Sequence, residues 1–300
     1  MLKLDAVVAF VAVAESGSIS AAGRRLERSK SVISQRLADL ERMLGATLLH
    51  RTTRKIAITQ DGSAFLERAR RILREVADAT AELGERSGGL VGPLRVAAPV
   101  SFGVLHLGPA LNAFLARHPG IELTLDLDDR LVDMVAGGYD AVVRHGAVAD
   151  EQVIVKRLAL SRRCLVAAPA YVKKRGTPRT LDELARHRAI VYSNRGAGDW
   201  RFRRGRDLVT VRPETVAMRV NNGLLMREAA VAGLGLALLP TYFISAELAR
   251  KRLVVVDVGA EPEGATLYLA FPHDRRGSAK LRVLIEWLRV AFGSPPYWDR

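Results

Sequence analysis

Cysteine is almost absent: Cys164 is the only one in 300 residues. No disulfide can form within the chain, a thiolate metal site lacks ligands, and a redox pair inside one chain is excluded. Cys164 lies in the apolar run CLVAAP and reads as a small buried residue. Histidine is also sparse. The six, His50, His106, His118, His145, His187 and His273, stand singly, without H-x-x-x-H or H-E-x-x-H spacing. There is no G-x-S-x-G elbow, P-loop or dinucleotide fingerprint, and the glycines of GLGLALLP are wrongly spaced and follow a helix. Neither catalysis, a metal nor a cofactor is therefore expected. No apolar run reaches the 18 residues of a membrane span, so no membrane partner is expected. The start of the chain loosely imitates a secretion signal, but Asp5 interrupts its apolar core and one lysine precedes it, so the expectation is a cytoplasmic protein.

What is present is ordinary folded composition, 49% hydrophobic and 26% charged, with length for two or three domains. The net charge of +14 suggests an anionic partner. Its distribution weakens that inference, since residues 1–92 carry fifteen basic against eleven acidic residues, and the remainder thirty-one against twenty-one. Locally, Arg24 to Lys55 holds nine against three. Lys156 to Arg212 holds sixteen against four; it reads first as a solvated face, with attraction of anionic effectors or bent DNA as the functional alternative.

The most informative stretch is Ser18 to Lys55. Ile33, Leu37, Leu40 and Leu44 recur at i, i+4, i+7 and i+11, one face of a helix. Lys30, Ser31, Ser34 and Gln35 fall opposite, small, polar or cationic, and Ser29 is placed to cap that helix. Ahead of it, Ala21, Ala22 and Leu26 form a compact face, with Ser18 or Ser20 as cap, after a first helix over Leu4–Ala14 closed by Gly17. This is helix-turn-helix layout, with the second helix in the major groove of double-stranded DNA. Ser20, Lys30, Ser31, Ser34 and Gln35 are the expected DNA-facing residues, with Arg36 reaching the flanking backbone. Leu48 to Thr59 alternates as a two-stranded wing whose Arg51, Thr52, Arg54 and Lys55 suit phosphate contacts. Beyond Thr59, the positions Phe65, Ala69, Ile72, Val76, Ala79 and Leu83 alternate steps of four and three, a coiled-coil seam for self-association, or the inner face of a helix packed on its own domain. Ser87 to Pro93, with three glycines and a proline, reads as a hinge.

From Leu94 onward strands alternate with helices: LRVAAP, a helix over Gly103–His118, IELTLDLDD, a short helix over Leu131–Gly137, and YDAVVRHG. A second set follows with VIVKRLAL, CLVAAP, TLDELARH, AIVYS, a helix from Asn222, GLALLP, a helix from Tyr242, LVVVD, LYLAFP and a closing helix over Ser278–Phe292. That order predicts mainly parallel sheets in two lobes. Ligands of such sheets sit beyond the carboxyl ends of strands and at helix N-termini. The candidates there are Ser101, Arg144, Tyr192 and Ser193, with Asn221 and Asn222 from the other lobe. A helix N-terminus and an arginine favour an anionic effector.

The run SIS-AA-RRL, then S-x-S-x-x-S, L-x-x-LE, LG and RTTRK-x-x-x-T-x-x-G, from about Leu4 to Gly62, resembles the N-terminal domain of LysR-type transcriptional regulators. The downstream pattern is similar to that family too, so the resemblance spans nearly the whole chain. Lys30 stands where many members carry glutamine, and Ser31 where many carry proline or serine, so no operator sequence carries over. The resemblance implies an α/β protein overall. Its parts are an all-α winged helix-turn-helix over residues 1–62, a linker helix for dimerisation over 63–86, a hinge over 87–93, and an effector domain over 93–300 like periplasmic binding proteins. Lobe one is expected over 93–161 and 267–300, and lobe two over 162–266. It further implies a small-molecule effector between the lobes, an antiparallel linker-helix dimer, a dimer of dimers, and regulation of neighbouring genes and its own promoter. The rival from another class is a solute-binding protein whose N-terminal part only oligomerises; an enzyme ranks third.

Overall fold

The computed structural model describes residues 2–51, 56–86, 90–130, 132–134, 137–146, 153–194 and 200–300. The chain divides into two compact units, the first running Met1–Pro93 and the second taking Leu94–Met134 and Tyr139–Arg300. No single helix among the described residues is long and apolar enough to cross a membrane.

In the first unit, α1 (Leu4–Ser16) buries Val7, Phe10 and Val13 and ends at Gly17. Of the two candidate caps for α2 (Ile19–Arg25) it is Ser18 that serves, its Oγ accepting the Ala21 N–H at 3.3 Å. Ser20 lies inside the helix and is exposed. Helix α3 (Lys30–Leu44) is capped by Ser29, which accepts the Val32 N–H at 3.3 Å, and stopped by Gly45 at φ 65°. The α2–α3 turn is tight: a Cβ on Gly23 would sit 2.8 Å from the Arg28 carbonyl oxygen, so only glycine fits. Ile33, Leu37 and Leu40 are fully buried, but Leu44 is not, because the helix outruns the core in its last turn. Strands β1 (Leu49–Arg51) and β2 (Ile56–Ile58) pair antiparallel, and Glu41 accepts the N–H groups of Leu48 and Leu49, fastening the wing to α3. Thr52, Arg54 and Lys55 lie outside the described residues, as does the side chain of Arg51.

Helix α4 (Gln60–Arg86) starts at Thr59, whose Oγ1 accepts the Gly62 N–H at 2.8 Å. The seam predicted along it divides. Phe65, Leu66, Ala69 and Leu73 pack on the unit's own core, with the Phe10 and Phe65 rings 5.4 Å apart. Ile72, Val76 and Ala79 of that seam stay exposed. The side chain of Leu83 lies outside the described residues.

The second unit holds two five-stranded sheets. β3 (Val91–Ala98), starting before the expected Leu94, is followed by an unbroken helical run of α5 (Val100–Phe102), a π turn (Gly103–Leu107) and α6 (Gly108–Arg117). Then come β4 (Gly120–Leu127), β5 (Ala141–His145) and β6 (Val153–Ser161). Of the helix expected over Leu131–Gly137, Val132–Met134 form coil and turn, while Leu131, Val135 and Ala136 lie outside the described residues. The chain crosses at Arg162 into β7 (Arg163–Ala167), α7 (Pro169–Arg175), α8 (Leu181–Ala185) and β8 (Arg188–Tyr192). Next are β9 (Arg201–Arg204), β10 (Asp207–Thr210), β11 (Thr215–Val220), α9 (Gly223–Val231), β12 (Leu236–Pro240), α10 (Thr241–Ala249), β13 (Val254–Val255) and β14 (Glu261–Pro262). It returns through β15 (Ala265–Pro272) to α11 (Ala279–Phe292).

The sheets are ordered β4-β3-β5-β15-β6 and β11-β8-β12-β7-β13, with a small third sheet β10-β9-β14. They are mixed, which corrects the expectation of mainly parallel sheets. β3 and β5 run parallel, as do β11, β8 and β12, but β15 is antiparallel to both β5 and β6, and β7 to β12 and β13. The cause is the double crossing. The strand that leaves a lobe and the strand that returns lie side by side, Ala265 opposite Ser161, and so point oppositely. Helix α7, the β9–β10 hairpin and β11 were not anticipated. In RFRRGRD the apolar side is carried by little more than buried Phe202, and arginines mask the alternation. Lobe one is pinned by a buried ion pair between Arg275 and Asp140, whose other oxygen accepts the Arg95 N–H at 2.7 Å.

Candidate functional site: recognition helix and interlobe cleft

On α3, Lys30, Ser31 and Gln35 are exposed and Ser34 is half-buried. Ser31 Oγ lies 2.8 Å from Ser29 Oγ, which ties it to the cap. Gln35 Nε2 donates to Asp39 at 3.0 Å and Arg42 pairs with the same carboxylate at 2.9 Å. That bond leaves Gln35 its carbonyl oxygen and second amide hydrogen, the acceptor–donor pair that matches an adenine edge. Arg36 sits on the other flank, where its Nη2 is bound to Asp5 of α1 at 2.8 Å, leaving its other N–H groups for a phosphate.

Within the second unit, a cavity of about 540 Å³ opens between the two large sheets, a volume suited to a small organic molecule. It lies at the carboxyl ends of β3, β5, β8 and β12, the expected place. Ser101, Arg144 and Tyr192 line it. Ser193, Asn221 and Asn222 do not. Ser193 and Asn221 are exposed beyond the ends of β8 and β11, while Asn222 Oδ1 caps α9, accepting the N–H groups of Leu224 and Leu225 at 3.0 and 3.1 Å. Gly223, next along, lines the cavity, and the ring of Phe243 fills the space a Cβ there would need.

Ser101 is 3% exposed, and its Oγ has no hydrogen-bond partner among the described residues. Leaving a buried hydroxyl unpaired costs about 1–3 kcal/mol, which a ligand accepting or donating there would recover. Arg144 Nη2 donates to the Val132 carbonyl at 2.8 Å, and Arg163, buried where β7 enters lobe two, donates to the Leu238 carbonyl at 3.3 Å. The wall between these polar groups is apolar, with Val142, Val143, Met226, Leu238 and Phe243. His145 Nε2 lies 2.8 Å from Ser161 Oγ.

Sequence reasoning passed over Asp128, Asp129, Arg130, Arg163 and Tyr242, all on the cavity wall. The first three follow β4, so the strand-end rule that selected Ser101 also applied to them. Arg130 grips Asp128 through both carboxylate oxygens, Nε donating to Oδ1 at 3.1 Å and Nη2 to Oδ2 at 2.7 Å, and its side-chain hydrogen bonds hold the Asp128 carboxyl down to about 2. Tyr242 is held from behind. His106, in the π turn of lobe one, uses Nε2 to donate to the Tyr242 carbonyl at 3.0 Å while Nδ1 accepts from the Tyr297 hydroxyl at 2.5 Å. Burial holds the pKa of His106 below its ordinary value, consistent with a neutral ring that these partners satisfy.

Comparison with known proteins identifies the family. Residues 4–63 match the family described as bacterial regulatory helix-turn-helix protein, lysR family, and residues 87–293 match the LysR substrate binding domain. The chain is similar to the HTH-type transcriptional regulator PtxR of Pseudomonas aeruginosa, 32% identical over 299 residues, covering 99% of this chain and 95% of that protein. It is 32% identical over 285 residues to the HTH-type transcriptional regulator DmlR of Escherichia coli K12, covering 94% and 92%. Among solved structures, CrgA of Neisseria meningitidis, a LysR-type transcriptional regulator, aligns with a TM-score of 0.60 at 27% identity over 96% of this chain and 99% of that chain. The chain belongs to the LysR family of helix-turn-helix transcriptional regulators.

Proposed function

We propose that this regulator reads its operator through Ser31, Ser34 and Gln35, with Lys30 at a base edge or phosphate, and answers to a small acidic effector held at Ser101 and Arg144. Ser20, Arg51, Thr52, Arg54 and Lys55 complete the DNA contact on this reading, as phosphate partners that position without specifying. The exposed Ile72, Val76 and Ala79 of α4 join two chains, so that two heads engage one site, and two such dimers make the tetramer. It works in the cytoplasm, beside the DNA. The effector acts by binding one arrangement of the lobes better than another, for which a differential affinity of about 1–3 kcal/mol suffices.

The observation that carries the effector reading is the unpaired, buried Ser101 hydroxyl at the cavity wall. The test is a thermal-shift screen of small organic acids on the full-length protein, with each hit repeated on Ser101→Ala. Hits should raise Tm in the native protein by several degrees and lose most of that shift in the variant, whose unliganded Tm should not fall. Equal shifts in both proteins would remove Ser101 from the site.

A further inference from the structure

The cavity contains a carboxylate, Asp129, that pairs with no cation among the described residues. Asp129 is half-buried at the end of β4, and among the described residues its hydrogen bond is from the Val100 N–H at 3.0 Å, at the head of the helical run that carries Ser101. The guanidinium nearest in sequence, on Arg130, is committed to Asp128. Asp128, beside Asp129 in the chain, adds a like charge. Burial, and after it that neighbour, push the Asp129 carboxyl up, while the Val100 N–H draws it down. A half-buried carboxylate so placed is stabilised by whatever cation enters the cavity with it.

We infer that the effector is an ammonium-bearing acid, its amine set against Asp129 and its acid group towards Ser101 and Arg144. This rests on the cleft reading above and sharpens it: an acid alone satisfies Ser101 but leaves Asp129 facing a second negative charge. The cavity keeps apolar surface for the body of such a molecule on Val142, Met226 and Leu238. Its class is then the small amino acids with an apolar or aromatic side chain.

The test uses matched triplets that share one side chain: the 2-amino acid, the 2-hydroxy acid and the acid with neither group. The apolar and aromatic members of the twenty protein amino acids supply the series, titrated calorimetrically into the full-length protein and into Ser101→Ala and Asp129→Asn. Asp129→Asn keeps the oxygen that accepts the Val100 N–H, so the fold is retained and only the charge is lost. The native protein should bind one amino acid at least about tenfold tighter than its hydroxy and unsubstituted partners, the ratio a close charge pair supplies. Asp129→Asn should erase that preference, and Ser101→Ala should weaken all three members alike. Ser101-dependent binding that is equal across a triplet, or best for the unsubstituted acid, overturns the ammonium inference and leaves the cleft reading standing. Binding by no amino acid in the series overturns it as well, and binding indifferent to Ser101 overturns the cleft reading itself.

Discussion

Glutamate at both Ile72 and Val76 should lower operator affinity by about 10²- to 10⁴-fold, the range lost when two linked binding events become independent. Both side chains are apolar, exposed at 39% and 43%, and one turn apart on α4. Each head keeps its own core, because α4 is fastened to that core by Phe65, Leu66, Ala69 and Leu73 instead. The substitution therefore separates dimer formation from folding. Sedimentation should show a smaller species, circular dichroism an unchanged helix content, and fluorescence anisotropy a weakened but still salt-dependent complex with DNA. A variant that stays oligomeric with native operator affinity would place self-association elsewhere.

Arg275→Met should cost the second unit about 3–5 kcal/mol, the penalty for stranding one partner of a buried ion pair. The guanidinium is 5% exposed and the Asp140 side chain 10%, so water cannot replace the lost charge. Asp140 also ties β3 to the segment before β5 through the Arg95 N–H, which makes it a joint of the lobe. All three tryptophans, Trp200, Trp287 and Trp298, lie in this unit, so urea melts followed by their fluorescence report it alone. The midpoint should fall sharply with an unchanged slope, and adding Asp140→Asn should recover part of the loss. A midpoint within experimental error of the native one would show the pair to be dispensable.

How much of this was legible depended on whether a feature is local. The recognition helix was readable because period, cap and stop all lie within seventeen residues, Ser29 to Gly45. The α4 seam was readable as a stripe, but its division was not: periodicity shows an apolar face without saying which residues the chain covers itself. Ser101, Arg144 and Tyr192 followed from the strand-end rule. Asn222 was ambiguous under that rule because a helix cap and a ligand site draw on the same residue type in the same place, and its oxygen accepts two backbone N–H groups. Asp129 was hidden because DLDD reads as the polar tail of a strand, and only the structure shows Arg130 spent on its neighbour. Strand direction in β15 and β7 was out of reach, since it depends on which lobe the chain is returning to.

The most direct test of the account is a titration of the full-length native protein, and of Ser34→Ala/Gln35→Ala, against DNA from upstream of its own gene and against a scrambled duplex of equal length and composition. The native protein should prefer one upstream segment by about 10³-fold or more at physiological salt, with affinity falling steeply as salt rises. The variant should lose about 1–3 kcal/mol for each base pair it no longer reads, while its affinity for the scrambled duplex stays put. Native binding that is equal on both duplexes, or a variant that loses the same affinity on each, would contradict the assignment of base reading to this face of α3.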